Sequence, residues 1–95
     1  MIANQIIQTS IDELRNITKV DLCVMDLEGI VLASTFNTEE IQPQEVHAFA
    51  ESVADSQVIK KYQFFKVYDE RQLENILVAK GDSDDSYMIG KVAVS

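Results

Sequence analysis

K-V-D-L-C-V-M-D-L-E-G-I-V-L-A-S-T-F, running from Lys19 to Phe36, reads as two apolar strands joined by the turn Asp26-Leu27-Glu28-Gly29. Val20 to Met25 is almost uninterrupted apolar, the pattern of a strand covered on both faces. Gly29 suits the left-handed position that closes a type I turn with a bulge. Ile30 to Phe36 then returns antiparallel. Its mixed alternation predicts burial on most of both faces. A tight hairpin of this kind so early in the chain points to a mixed α and β fold built on an antiparallel sheet.

Working outward toward the N-terminus, Ile2 (or Ala3), Ile6, Ile7, Ile11, Leu14 and Ile17 recur at spacings of three and four. That is one face of a helix. Gln5, Gln8, Asp12, Glu13 and Arg15 fill the other face, and Asn16-Ile17-Thr18 ends the element. Toward the C-terminus, Asn37 to Gln42 is a polar connection. Pro43 opens a second helix at a position where its missing N–H costs nothing. Val46, Phe49, Ala50 and Val53 form its apolar stripe, and it is expected to end near Ser56 or Gln57. Val58 to Tyr62 fits either a strand or a connection. Phe64 to Tyr68 reads as a strand, and Asp69-Glu70-Arg71 as a short turn. Leu73 to Lys80 reads as another strand, with Leu73, Asn75, Leu77 and Ala79 on one face and Glu74, Ile76, Val78 and Lys80 on the other. Gly81 to Asp85 reads as an acidic turn and Tyr87 to Val94 as a last strand.

The expected order is therefore α-β-β-α-β-β-β, an α+β fold with a five-stranded antiparallel sheet and two helices. The long helical excursion crosses the sheet, which sets the first hairpin beside the last strand. With Tyr87 to Val94 taken as a strand, the chain stops inside an element and one sheet face stays uncovered. Residues 1–95 then read as one sensor-like domain from a longer protein. The uncovered face and the isoleucine stripe of the first helix (Ile6, Ile7, Ile11, Leu14) together predict a homodimer.

Composition narrows the function classes. Ninety-five residues make one domain, which buries somewhat over ~60% of its unfolded surface. With sixteen acidic and eight basic residues the formal charge is −8. The bases are scattered, so nucleic-acid binding by this segment, which needs a clustered basic face, is excluded. An anionic membrane surface is disfavoured on the same ground. The N-terminus lacks the basic start of a signal peptide, and no apolar run is long enough to span a bilayer. A cytoplasmic location is expected. Cys23, the single cysteine, falls mid-strand and is expected to be a buried, inert thiol.

No catalytic or metal motif emerges, and no cofactor is expected. His47 could pair with Glu51 one helical turn on, as a surface pair would. Asp26 and Glu28 read as turn chemistry. Asp82, Asp84 and Asp85 lack the spacing and terminal Glu of a calcium loop. A ligand pocket is expected between the sheet and the second helix. Its lining would be Phe49, Val53, Phe65 and Val67, with Lys66 or Arg71 at the mouth to hold a small organic acid.

The hairpin V-D-L-C-V-M-D-L-E-G-I-V-L-A-S, Val20 to Ser34, resembles two families that share this layout. One is the N-terminal sensor of carbohydrate-diacid and purine-catabolism-type transcriptional regulators, a PAS-like or GAF-like domain joined to a helix-turn-helix module. The other is the roadblock family of profilin-like dimeric scaffolds, which runs α-β-β-α-β-β-β-α and binds small GTPases. The first resemblance implies a non-enzymatic small-molecule sensor, and the second a scaffold with no small-molecule ligand.

Overall fold

The computed structural model describes residues 4–95. Its elements are α1 (Asn4–Thr18), β1 (Leu22–Met25), β2 (Val31–Ser34), α2 (Pro43–Glu51), β3 (Ser56–Ile59), β4 (Tyr62–Asp69), β5 (Gln72–Lys80) and α3 (Asp84–Val94). The five strands form one antiparallel sheet in the order β2-β1-β5-β4-β3. The fold is α+β and follows the expected order, with the first hairpin beside β5 and the α2 excursion carrying the chain from one sheet edge to the other. The contribution of Ile2 or Ala3 to the first helix lies outside the described residues.

Two elements differ from the sequence reading. Tyr87 to Val94 is not a strand but the body of α3, and the five strands are completed by Ser56–Ile59. The acidic stretch is the start of that helix. Ser83 caps it, its Oγ accepting the Ser86 N–H at 3.2 Å. Asp84 and Asp85 occupy the first turn, where carboxylates complement the helix dipole. The face expected to be open is therefore covered within the chain. α2 is also shorter than expected. It stops at Glu51, and Ser52 turns extended at φ −77° and ψ 167°. Val53 projects into solvent, and the next residues join the sheet as β3 instead of continuing the helix.

The sheet separates two apolar layers. On one side Val46 and Phe49 of α2, with Ile41 ahead of it, pack on Cys23, Met25, Tyr62, Phe64, Ile76 and Val78. On the other, α1 and α3 cover Leu22, Val24, Ala33, Phe65, Leu77 and Ala79. Tyr62, Phe64, Phe65, Ile76, Val78 and Ala79 are all essentially inaccessible. The central strands β1, β4 and β5 thus bury both faces, as the apolar run of β1 predicted. β2 does not. It is a sheet edge, and Ile30 and Val31 are exposed.

The hairpin turn forms as read. Gly29 has φ 88°, its N–H donates to the Asp26 carbonyl at 3.1 Å, and Asp26 Oδ1 accepts the N–H groups of Glu28 and Ile30 at 2.9 Å. A Cβ at Gly29 would lie 2.8 Å from Pro43 Cα, so glycine also lets the start of α2 sit against the turn. In β5, Leu77 and Ala79 face α1 and α3 while Ile76 and Val78 face α2, as the alternation predicts. Leu73 breaks it and packs on the α2 side. The register slips between Val67 and Tyr68, where Glu74 has no opposite residue, and this bulge moves Leu73 to the other face.

Candidate functional site

At the expected place on the side facing α2, large side chains pack against one another. Phe49 is buried edge-on against Phe64, ring centroids 5.8 Å apart. Lys66 is buried as well, and its Nζ donates to the carbonyl of Ser52 and lies 5.3 Å from the centre of the Phe49 ring. Its ammonium is thereby committed to the C-terminal end of α2, where a cation complements the helix dipole. Phe65 and Val67 point to the opposite side, into the layer under α1 and α3. Val53 is fully exposed. Arg71 sits in the β4–β5 turn with φ 74°. The six residues expected to form one pocket are split across the sheet. The reason is the strand period of two: Lys66 faces α2, so its neighbours Phe65 and Val67 face away.

The stripe expected to form a dimer interface is used internally. Ile11 is buried, and Ile7 and Leu14 pack on the layer under α1. Ile6, 60% exposed, remains available to a partner.

A groove of about 700 Å³ opens on the α1 and α3 side, where the N-terminal end of α1 passes over the sheet. Ile7, Leu32 and Val67 supply its apolar surface, and Asn4 and Tyr68 also line it. Asp69, Glu74 and Asn75 provide polar groups from the β4–β5 hairpin. Its volume falls in the range of small-molecule sites; it is open to solvent, and half of its lining residues are polar or charged. The register slip opposite Glu74 aims this end of the hairpin, as bulges beside binding sites do. The Asn75 amide donates to the Met25 carbonyl at 3.4 Å. Among the described residues neither Asp69 nor Glu74 has an ion-pair partner. A flatter hollow of about 510 Å³ lies along Gln5, Ile6, Thr9 and Ser10 on the outer side of α1, walled by one element alone.

Of these lining residues, sequence reasoning had singled out Val67 for a pocket and Ile7 for an interface. The signal it missed was the helical spacing of Ser86, Ile89, Gly90 and Ala93, which turns the last segment into a cover for β4 and β5.

The other sequence candidates behave structurally. His47 lies 3.4 Å from Glu51 through Nε2, the i,i+4 pair expected, and 3.7 Å from Glu28 through Nδ1, all three well exposed. Burial pushes the Cys23 thiol up to about 12, and a hydrogen bond with Ser34 only partly offsets this. Among the described residues no cluster of three or more His, Cys, Asp or Glu could hold a metal ion. No described helix is long and apolar enough to cross a membrane. The chain matches no protein-family model and no curated protein.

Proposed function

We propose that this chain is a non-enzymatic small-molecule-sensing and dimerisation domain of a bacterial transcriptional regulator. It would act in the cytoplasm and pass its ligand state to a DNA-binding module outside this chain. The observation that carries the reading is the groove at the end of α1, bounded by a helix, an edge strand and the β4–β5 hairpin. A ligand there contacts a helix and the sheet it rests on. If it binds one packing of α1 more tightly than another, it shifts the population toward that packing. The hairpin resemblance at Val20 to Ser34 supports the same class. The lining carries two carboxylates and no lysine or arginine. A neutral polar ligand with an apolar body fits it better than the organic acid expected from sequence.

Thermal-shift screening of the whole chain with sugar acids, purine breakdown products, neutral polyols and small amines tests the reading. A true ligand at one hundred times its dissociation constant stabilises by about 2.7 kcal/mol. Amide shifts confined to Ile7, Leu32 and Val67 on titration would support it. Binding that leaves these residues unmoved, or no binding by any class, would overturn it.

A second reading, a roadblock-type dimeric scaffold that binds a small GTPase, is favoured by one observation. With α3 after β5, the element order is α-β-β-α-β-β-β-α, the full layout that the family resemblance implies. Specific capture of a GTP-loaded small GTPase, with no small-molecule ligand, would select it.

A further inference from the structure

The charges in the groove beside α1 are one-sided. Among the described residues its lining holds two carboxylates, Asp69 and Glu74, and no lysine, arginine or histidine. Neither carboxylate has an ion-pair partner among the described residues. Arg71 lies between them in the turn, outside the lining. The neutral polar groups add little donor capacity. The Asn75 amide uses its Nδ2 on the Met25 carbonyl at 3.4 Å, which leaves Oδ1 as an acceptor. The Tyr68 hydroxyl is turned toward Asp55 Oδ1, 3.5 Å away, while its half-exposed ring contributes to the lining. Ile7, Leu32 and Val67 supply the apolar wall.

We infer that this groove takes a protonated organic amine, its ammonium held by Asp69 and Glu74 and its apolar body resting on Ile7, Leu32 and Val67. This rests on the ligand-binding part of the reading above and names the ligand's charge. An ammonium group carries N–H donors and no acceptor. It complements a lining whose side chains offer mainly acceptors. Hydrogen bonds between ionised partners are roughly twice as strong as neutral ones, so an amine gains more here than an alcohol of the same shape. A carboxylate ligand would instead meet two like charges. An aromatic ring attracts a cation that comes within about 6 Å of its centre, which Tyr68 offers on the same wall. The formal charge of −8 draws cations toward the whole molecule without selecting a site. The selection comes from the groove.

Titration of the whole chain with cyclohexylmethylamine, cyclohexylmethanol and cyclohexanecarboxylate, followed by amide NMR shifts, tests the inference. The three share a body and differ in charge. The amine is expected to bind most tightly and the acid least, with shifts centred on Ile7, Leu32 and Val67. Glu74→Gln and Asp69→Asn are each expected to weaken the amine about two- to fivefold, the range of an exposed charge pair, and to leave the alcohol unchanged. Both residues are exposed, so the variants should fold, with circular dichroism as the check. An alcohol that binds as tightly as the amine overturns the inference and leaves the groove reading standing. So does an amine whose shifts spread over the acidic surface and survive both substitutions, which marks attraction by net charge alone. Variants that melt lower yet hold the amine at full strength assign the carboxylates to the N-terminal end of α1, where negative charge is favoured, and overturn it as well. If none of the three compounds moves the groove residues, the inference falls, and the sensing reading then stands or falls with the wider screen.

Discussion

The two faces of this sheet are built on the same strands but finished in different ways. Under α2, a nine-residue helix and its leading loop close over large side chains, and the layer is packed through. The opposite face is roofed by two helices. α1 lies over β1 and β2 and α3 over β4 and β5, and among the described residues the sheet is accessible beside the N-terminal end of α1. A single short helix can fit one continuous apolar surface. Two helices share this face, and the groove lies beside the N-terminal end of α1, walled by β2 and the β4–β5 hairpin. The packed face gives stability; under the proposed reading, the other face is where a ligand would act on the packing.

The largest expected effect comes from breaking the packed face. Phe49→Ala removes a ring that is buried against Phe64 and lies beneath the Lys66 ammonium. It should cost about 3–5 kcal/mol, read as a drop in the urea midpoint. The same truncation at Val67, in the groove wall, should cost well under half as much. A loss at Val67 as large, per atom removed, as that at Phe49 would show that the faces do not differ in packing.

The two-helix face has one tight point of its own. A Cβ on Gly90 would lie 2.1 Å from Phe65 Cε1, so α3 rests on the sheet through its backbone. Gly90→Ala must lift the helix or swing the ring. Overpacking of this kind costs about 1–3 kcal/mol, more than the helix propensity gained. An unchanged melting temperature would mean that α3 is not seated where it is described.

Cys23 probes the packed face by pH. Its thiol is raised to about 12 in the folded chain, against about 8.5 when unfolded. A raised pKa favours the folded state below the unfolded value and loses that contribution as pH rises toward the folded one. Between pH 9 and 11 the unfolding free energy should fall by up to about 1.4 kcal/mol per pH unit on this account. The slope should flatten in Cys23→Ala. Identical slopes in the two proteins would show that the thiol is not shielded.

Legibility followed local chemistry. The hairpin at Lys19 to Phe36 was readable because a turn glycine, an aspartate that bonds its own turn and two apolar runs all act within a few residues. α1 was readable from its isoleucine spacing. The pocket was not, because which side of the sheet Phe49, Phe65 and Val67 share depends on the strand register and on where α2 stops. α3 was misread because Tyr87-Met88-Ile89 and Val92-Ala93-Val94 mix apolar residues of both periods. Ser83 followed by two aspartates was the helix start that decided it. β3 was ambiguous because an edge strand of four residues carries almost no pattern, and β4 supplies its hydrogen bonds.

The smallest expected effect lies where the β4–β5 hairpin borders the groove. Glu70 and Arg71 both have positive φ, 49° and 74°, between the paired residues Asp69 and Gln72. That is the two-residue turn whose twist suits a hairpin, and Asn-Gly fills it without strain. An ordinary side chain in the left-handed region costs roughly 1–2 kcal/mol. Relief of this strain is partly offset by the greater freedom glycine gives the unfolded chain. Arg71→Gly should therefore raise stability by about 0.5–1 kcal/mol, and Glu70→Asn by less. Neither residue lines the groove, so ligand affinity should hold for any compound whose binding moves Ile7 and Leu32. If Arg71→Gly instead weakens an anionic ligand severalfold while the melting temperature rises, the arginine reaches the site from its turn, and the two-helix face accepts acids after all.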